Sequence, residues 1–202
     1  MNLPNRLTMI RIYMTLAIIV ILLFPFYLVN IEFPMWTWKI KEVMEIDSRY
    51  IISGALFLLA SFTDFLDGYI ARKRHIVTDF GKFLDAIADK ILVNSVLIIL
   101  AVQGVISPII PVAIIFRDTI VDSIRMMAST KGVVIAAGKS GKIKTAFMMV
   151  GIALTFFYNL PFEIFNINVA AILLTLATVL SIYSGVEYYF SNKKLLKENT
   201  NN

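Results

Sequence analysis

The chain has 202 residues, 58% of them hydrophobic and 16% charged, with a formal net charge of +5. A soluble domain is about a quarter charged, so this composition, with a mean hydropathy of +0.79, excludes an ordinary soluble domain and reads as an integral membrane protein. The absence of cysteine excludes a disulfide framework and a thiolate metal site, and nucleic acid is not an expected partner.

Residues 1–6 are polar and contain Pro4, a good helix opener. Arg6 and Arg11 follow, then an apolar run to about Val29, enough for one span of about 20 residues. It has no small-residue cleavage site before Pro25 and is read as a span, not a cleaved signal peptide. Residues 30–49 mix Trp36 and Trp38 with acids and bases and read as an interfacial loop, with room for a short helix lying flat and the indoles at headgroup level.

A second span is expected from about Tyr50 into Arg72 and a third from near Asp79 to near Gln103. After a turn at Gly104–Pro108, a fourth runs from about Pro108 to Ala128. A polar, basic segment over 129–141 precedes a fifth, from about Lys142 to Tyr158, which N-L-P-F ends; a sixth covers about Asn168 to Phe190. The expected fold is all-α: a polytopic membrane helix bundle with six transmembrane helices. It forms one domain over 1–190, followed by a basic and polar tail over 191–202.

With six spans, Arg6, Arg11, Arg72, Lys73, Arg74, Lys82, Arg125, Lys131, Lys139, Lys142, Lys144, Lys193, Lys194 and Lys197 all fall on one side. The other side has Lys39, Lys41 and Arg49, outnumbered by Glu32, Glu42, Glu45 and Asp47. The positive-inside rule then places both termini in the cytoplasm. The single histidine, His75, falls in a polar link and is given no role.

The stretch from Asp64 to Asp89 concentrates the chemistry. Asp64 and Asp67 stand at i, i+3 on one apolar segment, and Asp85 and Asp89 at i, i+4 on the next. On helices, each pair shares a face. The short link from Lys73 to Thr78 makes the two helices antiparallel neighbours, so four carboxylates converge just below the cytoplasmic surface. A carboxylate at mid-membrane costs about 2.5–3.5 kcal/mol on insertion scales, so a cluster of four calls for cations. Pairing with Arg72, Lys73, Arg74 and Lys82 is the plain alternative. An all-oxygen set instead selects hard divalent ions, and a pair of them is a known arrangement for in-line phosphoryl displacement.

The pattern D-x2-D-G-x2-A-R-x8-G-x3-D-x3-D, filled by Asp64, Asp67, Gly68, Ala71, Arg72, Gly81, Asp85 and Asp89, resembles the signature of the CDP-alcohol phosphatidyltransferases. The opening N-L-P-N-R-L-T-M-I-R, the Arg117 region and G-K-I-K-T from Gly141 to Thr145 are similar to the branch whose acceptor is glycerol 3-phosphate. The resemblance implies a homodimeric enzyme of the bacterial cell membrane, its site on the cytoplasmic side. That enzyme transfers a phosphatidyl group from CDP-diacylglycerol to glycerol 3-phosphate and releases CMP.

It also implies Mg²⁺ or Mn²⁺, two per site, at Asp64, Asp67, Asp85 and Asp89, with Asp89 as general base toward the acceptor hydroxyl. Asn5, Thr8, Asp67, Gly68, Ala71, Arg72 and Gly81 are the implied donor contacts, with Arg11 in the same N-terminal element. Gly68, Ala71 and Gly81 equally suit close helix packing, and Asn5 equally suits capping. Arg117, Arg125, Lys139, Lys142 and Lys144 form a candidate phosphate pocket, since the planar guanidinium fork matches phosphate. Intramembrane ion pairing for Arg117 and positive-inside anchoring for the lysines are the alternatives.

Two positions depart from the branch. Arg117-Asp118 stands where Arg-Glu is usual, and D-A-I-A-D over Asp85 to Asp89 where D-P-L-A-D is usual. The rival functions are the same chemistry on serine, inositol phosphate or phosphatidylglycerol, a membrane prenyltransferase, or a cation transporter.

Overall fold

The computed structural model describes residues 3–30, 33–40, 42–73, 78–133, 135 and 138–196. Within these, only the backbone is described at 3–4, 27, 29, 36–40, 42–45, 71–72, 79, 82, 139 and 194–196. Six helices follow in chain order: α1 (Leu3–Leu23), α2 (Ser48–Lys73), α3 (Asp79–Val102), α4 (Ile109–Thr130), α5 (Lys139–Phe156) and α6 (Val169–Leu196). Proline accounts for two of the boundaries, because it cannot donate an amide to a helix already under way. Pro25 follows the end of α1, and Pro108 caps the start of α4. Thr78 caps α3, its hydroxyl accepting from the Gly81 amide at 3.1 Å. Helix α6 runs on to Leu196, so the first residues expected in the tail are helical.

The helices form two groups of three. Helix α1 packs on α2 and α3, and α6 packs on α5 and α4; α2 meets α5 and α3 meets α4 where the groups join. The shared core is apolar and closed, with Ile18, Phe57, Val96, Leu97, Leu100, Ile114, Ile152, Phe156 and Leu174 at 0–1% exposure. Around it lies the opposite pattern, since Leu58, Leu59, Phe116, Ile172, Val179 and Ile182 are all exposed. Large apolar side chains facing outward all around a bundle are what a lipid solvent selects.

Three helical stretches, Asn5–Leu23, Ser48–Ile70 and Val169–Lys193, are long and apolar enough by themselves to cross a membrane. Helices α3, α4 and α5 carry charges along the half nearest one end: Asp85, Asp89 and Lys90; Arg117, Asp118, Asp122 and Arg125; Lys142 and Lys144. These lie in the N-terminal halves of α3 and α5 and from the middle of α4 toward its C-terminus, and most of them line one cavity.

The segment expected as an interfacial loop with a flat helix is instead a β-hairpin. Strand β1 (Met35–Ile40) pairs antiparallel with β2 (Glu42–Asp47), in a register that sets Met35 opposite Asp47 and Ile40 opposite Glu42. Trp36, Trp38 and Ile40 alternate with Thr37 and Lys39, and the register sets them opposite Ile46, Met44 and Glu42, a period of two that suits a strand rather than a helix. The hairpin is tied to the bundle at the end away from the charges. The Tyr158 hydroxyl accepts from the Asp47 amide at 2.8 Å, and Asp47 accepts from Arg49 Nε at 2.8 Å and Nη2 at 2.6 Å. At that end Gln103 also accepts from Tyr50 and donates to the Leu22 carbonyl, joining α1, α2 and α3.

Candidate active site

Polar residues that would be intolerable in the apolar core collect at the charged end. Helix α1 contributes Asn5, Thr8 and Arg11 at three-residue intervals, all buried, with Arg11 at 0% exposure. Helix α2 contributes Asp64 and Asp67, and α3 contributes Asp85 and Asp89, as their spacings predict. Arg11 is the hub. Its Nη1 lies 2.8 Å from Asp64 Oδ1 and 2.8 Å from Asp85 Oδ1, and its Nη2 lies 2.5 Å from Asp67 Oδ2. Thr8 Oγ1 donates to Asp67 Oδ2 at 3.3 Å, and Thr15 Oγ1 donates to the Arg11 carbonyl, holding that turn of α1.

Asp64, Asp67 and Asp85 each present one carboxylate oxygen, and the three lie within 4.8 Å of one another. One guanidinium cannot balance three carboxylates, and the donor set is all oxygen. The residues therefore fit a hard divalent cation. Asp89 stands outside this trio. It faces a separate cavity and lies within electrostatic reach of Asp64, Asp85 and Asp118.

Gly81 has a structural account. A Cβ there would lie 2.7 Å from Asn5 Oδ1 and 2.9 Å from Thr78 Oγ1, so its missing side chain lets α1 and α3 meet at their N-termini. Gly68 is half-buried on the turn after Asp67. Ala71 and Arg72 fall in the last turn of α2, with their side chains outside the described residues; Arg74 and His75 also lie outside them.

The cavity beside Asp89 has a volume of about 660 Å³ and is walled by α3, α4, α5 and α6. Arg117, Arg125, Lys142 and Lys144 line it, as the sequence reading grouped them; the Lys139 side chain is outside the described residues. Asp118 ties two of these cations together. It accepts from Arg117 Nη1 at 2.7 Å and from Lys144 Nζ at 2.8 and 2.9 Å. Lys144 is buried, Lys142 exposed. Lys90, next to Asp89, forms an ion pair with Asp122 and so bridges α3 to α4.

Residues 1–183 match the family described as CDP-alcohol phosphatidyltransferase. The chain belongs to this family. It is 37% identical over 198 residues to a CDP-diacylglycerol–glycerol-3-phosphate 3-phosphatidyltransferase of Bacillus subtilis, covering 97% of both chains. A protein of the same description from Mycoplasma genitalium is 38% identical over 206 residues, covering 97% of this chain and 86% of the relative. Another from Rickettsia bellii is 34% identical, with 96% of each chain covered. The fold is also that of the phosphatidylinositol phosphate synthase of Mycobacterium tuberculosis, solved in apo form. That likeness has a TM-score of 0.57 at 16% identity and covers 96% of this chain and 93% of that one. As a family member with three membrane-crossing stretches, the chain is a membrane enzyme built as a polytopic helix bundle.

The sequence reading left out two features of the site. It placed Arg11 at the border of the donor site rather than among the carboxylates. It gave no site residue to α6, whose Ser184, Glu187, Tyr188, Ser191 and Asn192 line the cavity. A signal existed, because Ser181, Ser184, Tyr188 and Ser191 recur at steps of three and four through an otherwise apolar span.

The Arg11 hub yields a stability prediction. Breaking a buried ion pair costs about 3–5 kcal/mol. The cost here is lower, since the side chains of Asp64 and Asp85 are 41% and 47% exposed. Arg11→Met is expected to lower the melting temperature in detergent and chelator by several degrees. An unchanged melting curve would show that the carboxylates do not depend on this guanidinium.

Proposed function

We propose that this membrane enzyme transfers the phosphatidyl group of CDP-diacylglycerol to sn-glycerol 3-phosphate, giving phosphatidylglycerophosphate and CMP. It would act as a homodimer in a bacterial cell membrane, with the site and both termini on the cytoplasmic side. The observation that carries the acceptor is the 660 Å³ cavity in which Arg117, Arg125, Lys142 and Lys144 stand beside Asp89. The relatives' descriptions name the same donor and acceptor. The orientation is supported by the positive-inside distribution and by the gathering of all site residues at the lysine- and arginine-rich end of the bundle.

On this reading the two groups of helices divide the work. The carboxylates of Asp64, Asp67 and Asp85 would hold Mg²⁺ or Mn²⁺ on the α1–α3 side, with Asp89 adjoining them. Divalent cations bound there supply charge neutralisation for the donor pyrophosphate and for departing CMP. Asn5, Thr8, Asp67, Gly68, Ala71, Arg72 and Gly81 border the donor. Asp89 accepts the proton of the acceptor hydroxyl as its oxygen attacks the β-phosphorus, the P–O bond to CMP breaking as the new one forms. The α4–α6 side holds the acceptor's phosphate in charge-assisted hydrogen bonds, and Lys139 is assigned to the same phosphate from its place in the sequence. Asp89 lies between the two halves, where a hydroxyl must lose its proton.

The direct test is CMP release by purified protein with CDP-diacylglycerol, Mg²⁺ or Mn²⁺, and a panel of glycerol 3-phosphate, glycerol, serine, inositol phosphate and phosphatidylglycerol. Release only with glycerol 3-phosphate is expected; equal release with serine or inositol phosphate would move the chain to another branch. Asp64→Asn, Asp67→Asn and Asp85→Asn are each expected to abolish turnover and metal-dependent donor binding, read by calorimetry. Asp89→Asn is expected to lose turnover while retaining measurable donor binding, and a variant with kcat intact would remove it as base.

Arg117→Ala and Arg125→Ala are expected to weaken glycerol 3-phosphate about ten- to a hundredfold, from about 1.5–3 kcal/mol per charge-assisted bond. They should also erase most of the preference over glycerol, with the donor KM little changed. Retained preference with lost folding would leave these residues as structural ion pairs.

A further inference from the structure

Arg117 stands on α4, but what fixes its guanidinium belongs largely to α6. Its Nη2 donates to Ser184 Oγ at 2.8 Å. The Ser184 hydroxyl spends its own proton on the Ser181 carbonyl at 3.1 Å, so toward Arg117 it can act only as an acceptor. The other arm of the fork donates to Asp118 at 2.7 Å. The stem of the side chain rests on the neighbouring glycine. A Cβ at Gly185 would lie 2.7 Å from Arg117 Cγ, 3.7 Å from Nε and 3.8 Å from Cβ. Cγ is near the root of the side chain, where little flexibility is available, so any residue other than glycine at 185 forces the whole Arg117 side chain to turn. Arg117 Nε is buried without a hydrogen-bond partner among the described residues. Packing against Gly185 and the two terminal bonds therefore carry its placement.

Resting on the acceptor pocket proposed above, we infer that Gly185 and Ser184 are positioning residues that set how this enzyme recognises a phosphorylated acceptor. They hold the Arg117 fork at the one angle from which it meets the phosphate. The absence of a side chain at 185 and the lone pair at 184 act together, the first on the stem and the second on one terminal nitrogen. An Asp118 bond alone would leave the plane of the guanidinium free to rotate about its attachment. Phosphate recognition by arginine is geometric as well as electrostatic, since two parallel N–H groups must face two oxygens. A rotated fork keeps its charge and loses the pairing.

The test compares wild type, Gly185→Ala, Ser184→Ala, Arg117→Ala and the double variant Gly185→Ala/Arg117→Ala. The readouts are KM for glycerol 3-phosphate, KM for CDP-diacylglycerol, the preference for glycerol 3-phosphate over glycerol, and a melting curve in detergent. Gly185→Ala and Ser184→Ala are each expected to raise the acceptor KM about tenfold, the worth of one hydrogen bond to a charged group. The phosphate preference should fall in parallel and the donor KM hold. In the Arg117→Ala background Gly185→Ala should add nothing, because the residue through which it acts is gone.

Additive effects in the double variant, or a rise in donor KM equal to that in acceptor KM, would show a general packing role and overturn the inference. If Gly185→Ala fails to fold, Ser184→Ala decides alone, and an unchanged acceptor KM there overturns it. Arg117→Ala separates the two levels. If it keeps the phosphate preference, the acceptor pocket itself is wrong. If it loses the preference while both α6 variants keep it, only the positioning role falls.

Discussion

Converging negative charge at the edge of an apolar bundle is the constraint on which this structure depends. Asp64, Asp67 and Asp85 bring their oxygens within 4.8 Å of one another, at the end of a core whose side chains are closed to solvent. Such a cluster persists only with a cation inside it. Arg11 supplies one positive charge from α1 and thereby fixes the packing of the first three helices. Thr8 and Thr15 hold that turn of α1, and the bare Gly81 lets it approach α3. The remaining negative charge is what a divalent ion would satisfy, so structure and chemistry draw on the same electrostatic deficit.

The second group of helices carries the opposite sign. Arg117, Arg125, Lys142 and Lys144 line one cavity, and Asp89 on α3 faces it from the carboxylate side. Like charges repel within each of these two sites, and each is partly neutralised from inside. Asp118 does this for Arg117 and Lys144, while Arg11 does it for the aspartates. The Lys90–Asp122 pair joins α3 to α4 at the seam. Helix α3 thus borders both charged groups, with Asp85 in the carboxylate trio and Asp89 lining the cavity.

Helix number and approximate bounds were legible in the sequence because lipid imposes long apolar runs broken by proline, glycine and charge. The expected cluster of four carboxylates was legible in part: the i, i+3 spacing puts Asp64 and Asp67 on one face where they meet Asp85, whereas Asp89, one turn beyond Asp85, stands outside the trio. The hairpin over Met35–Asp47 was not recognised because its charged and aromatic residues suit a headgroup loop as well as a strand. Its period of two was the available clue. Arg11 was underrated because sequence spacing gives no distances between helices far apart in the chain, and its partners lie 53 to 74 residues away. The α6 wall was missed for the same reason, and because serine and glycine in an apolar span read first as packing residues. Charge announces itself in a sequence; the uncharged residues that aim a charge do not.

Asp118 shows how the two kinds of residue meet. The family resemblance leads one to expect Arg-Glu where this chain has Arg117-Asp118, an acid shorter by one methylene. Its carboxylate accepts from Arg117 and from Lys144 together, at 2.7 to 2.9 Å. One negative charge shared between two cations leaves this trio net positive and lowers the cost of keeping two cations beside an apolar wall. With Asp118 on one arm of the fork and Ser184 on the other, Arg117 is held from α4 and α6 at once. Lys144 reaches the same carboxylate from α5. All three helices of the second group therefore meet at the Arg117–Asp118 pair, as the three helices of the first group meet at Arg11.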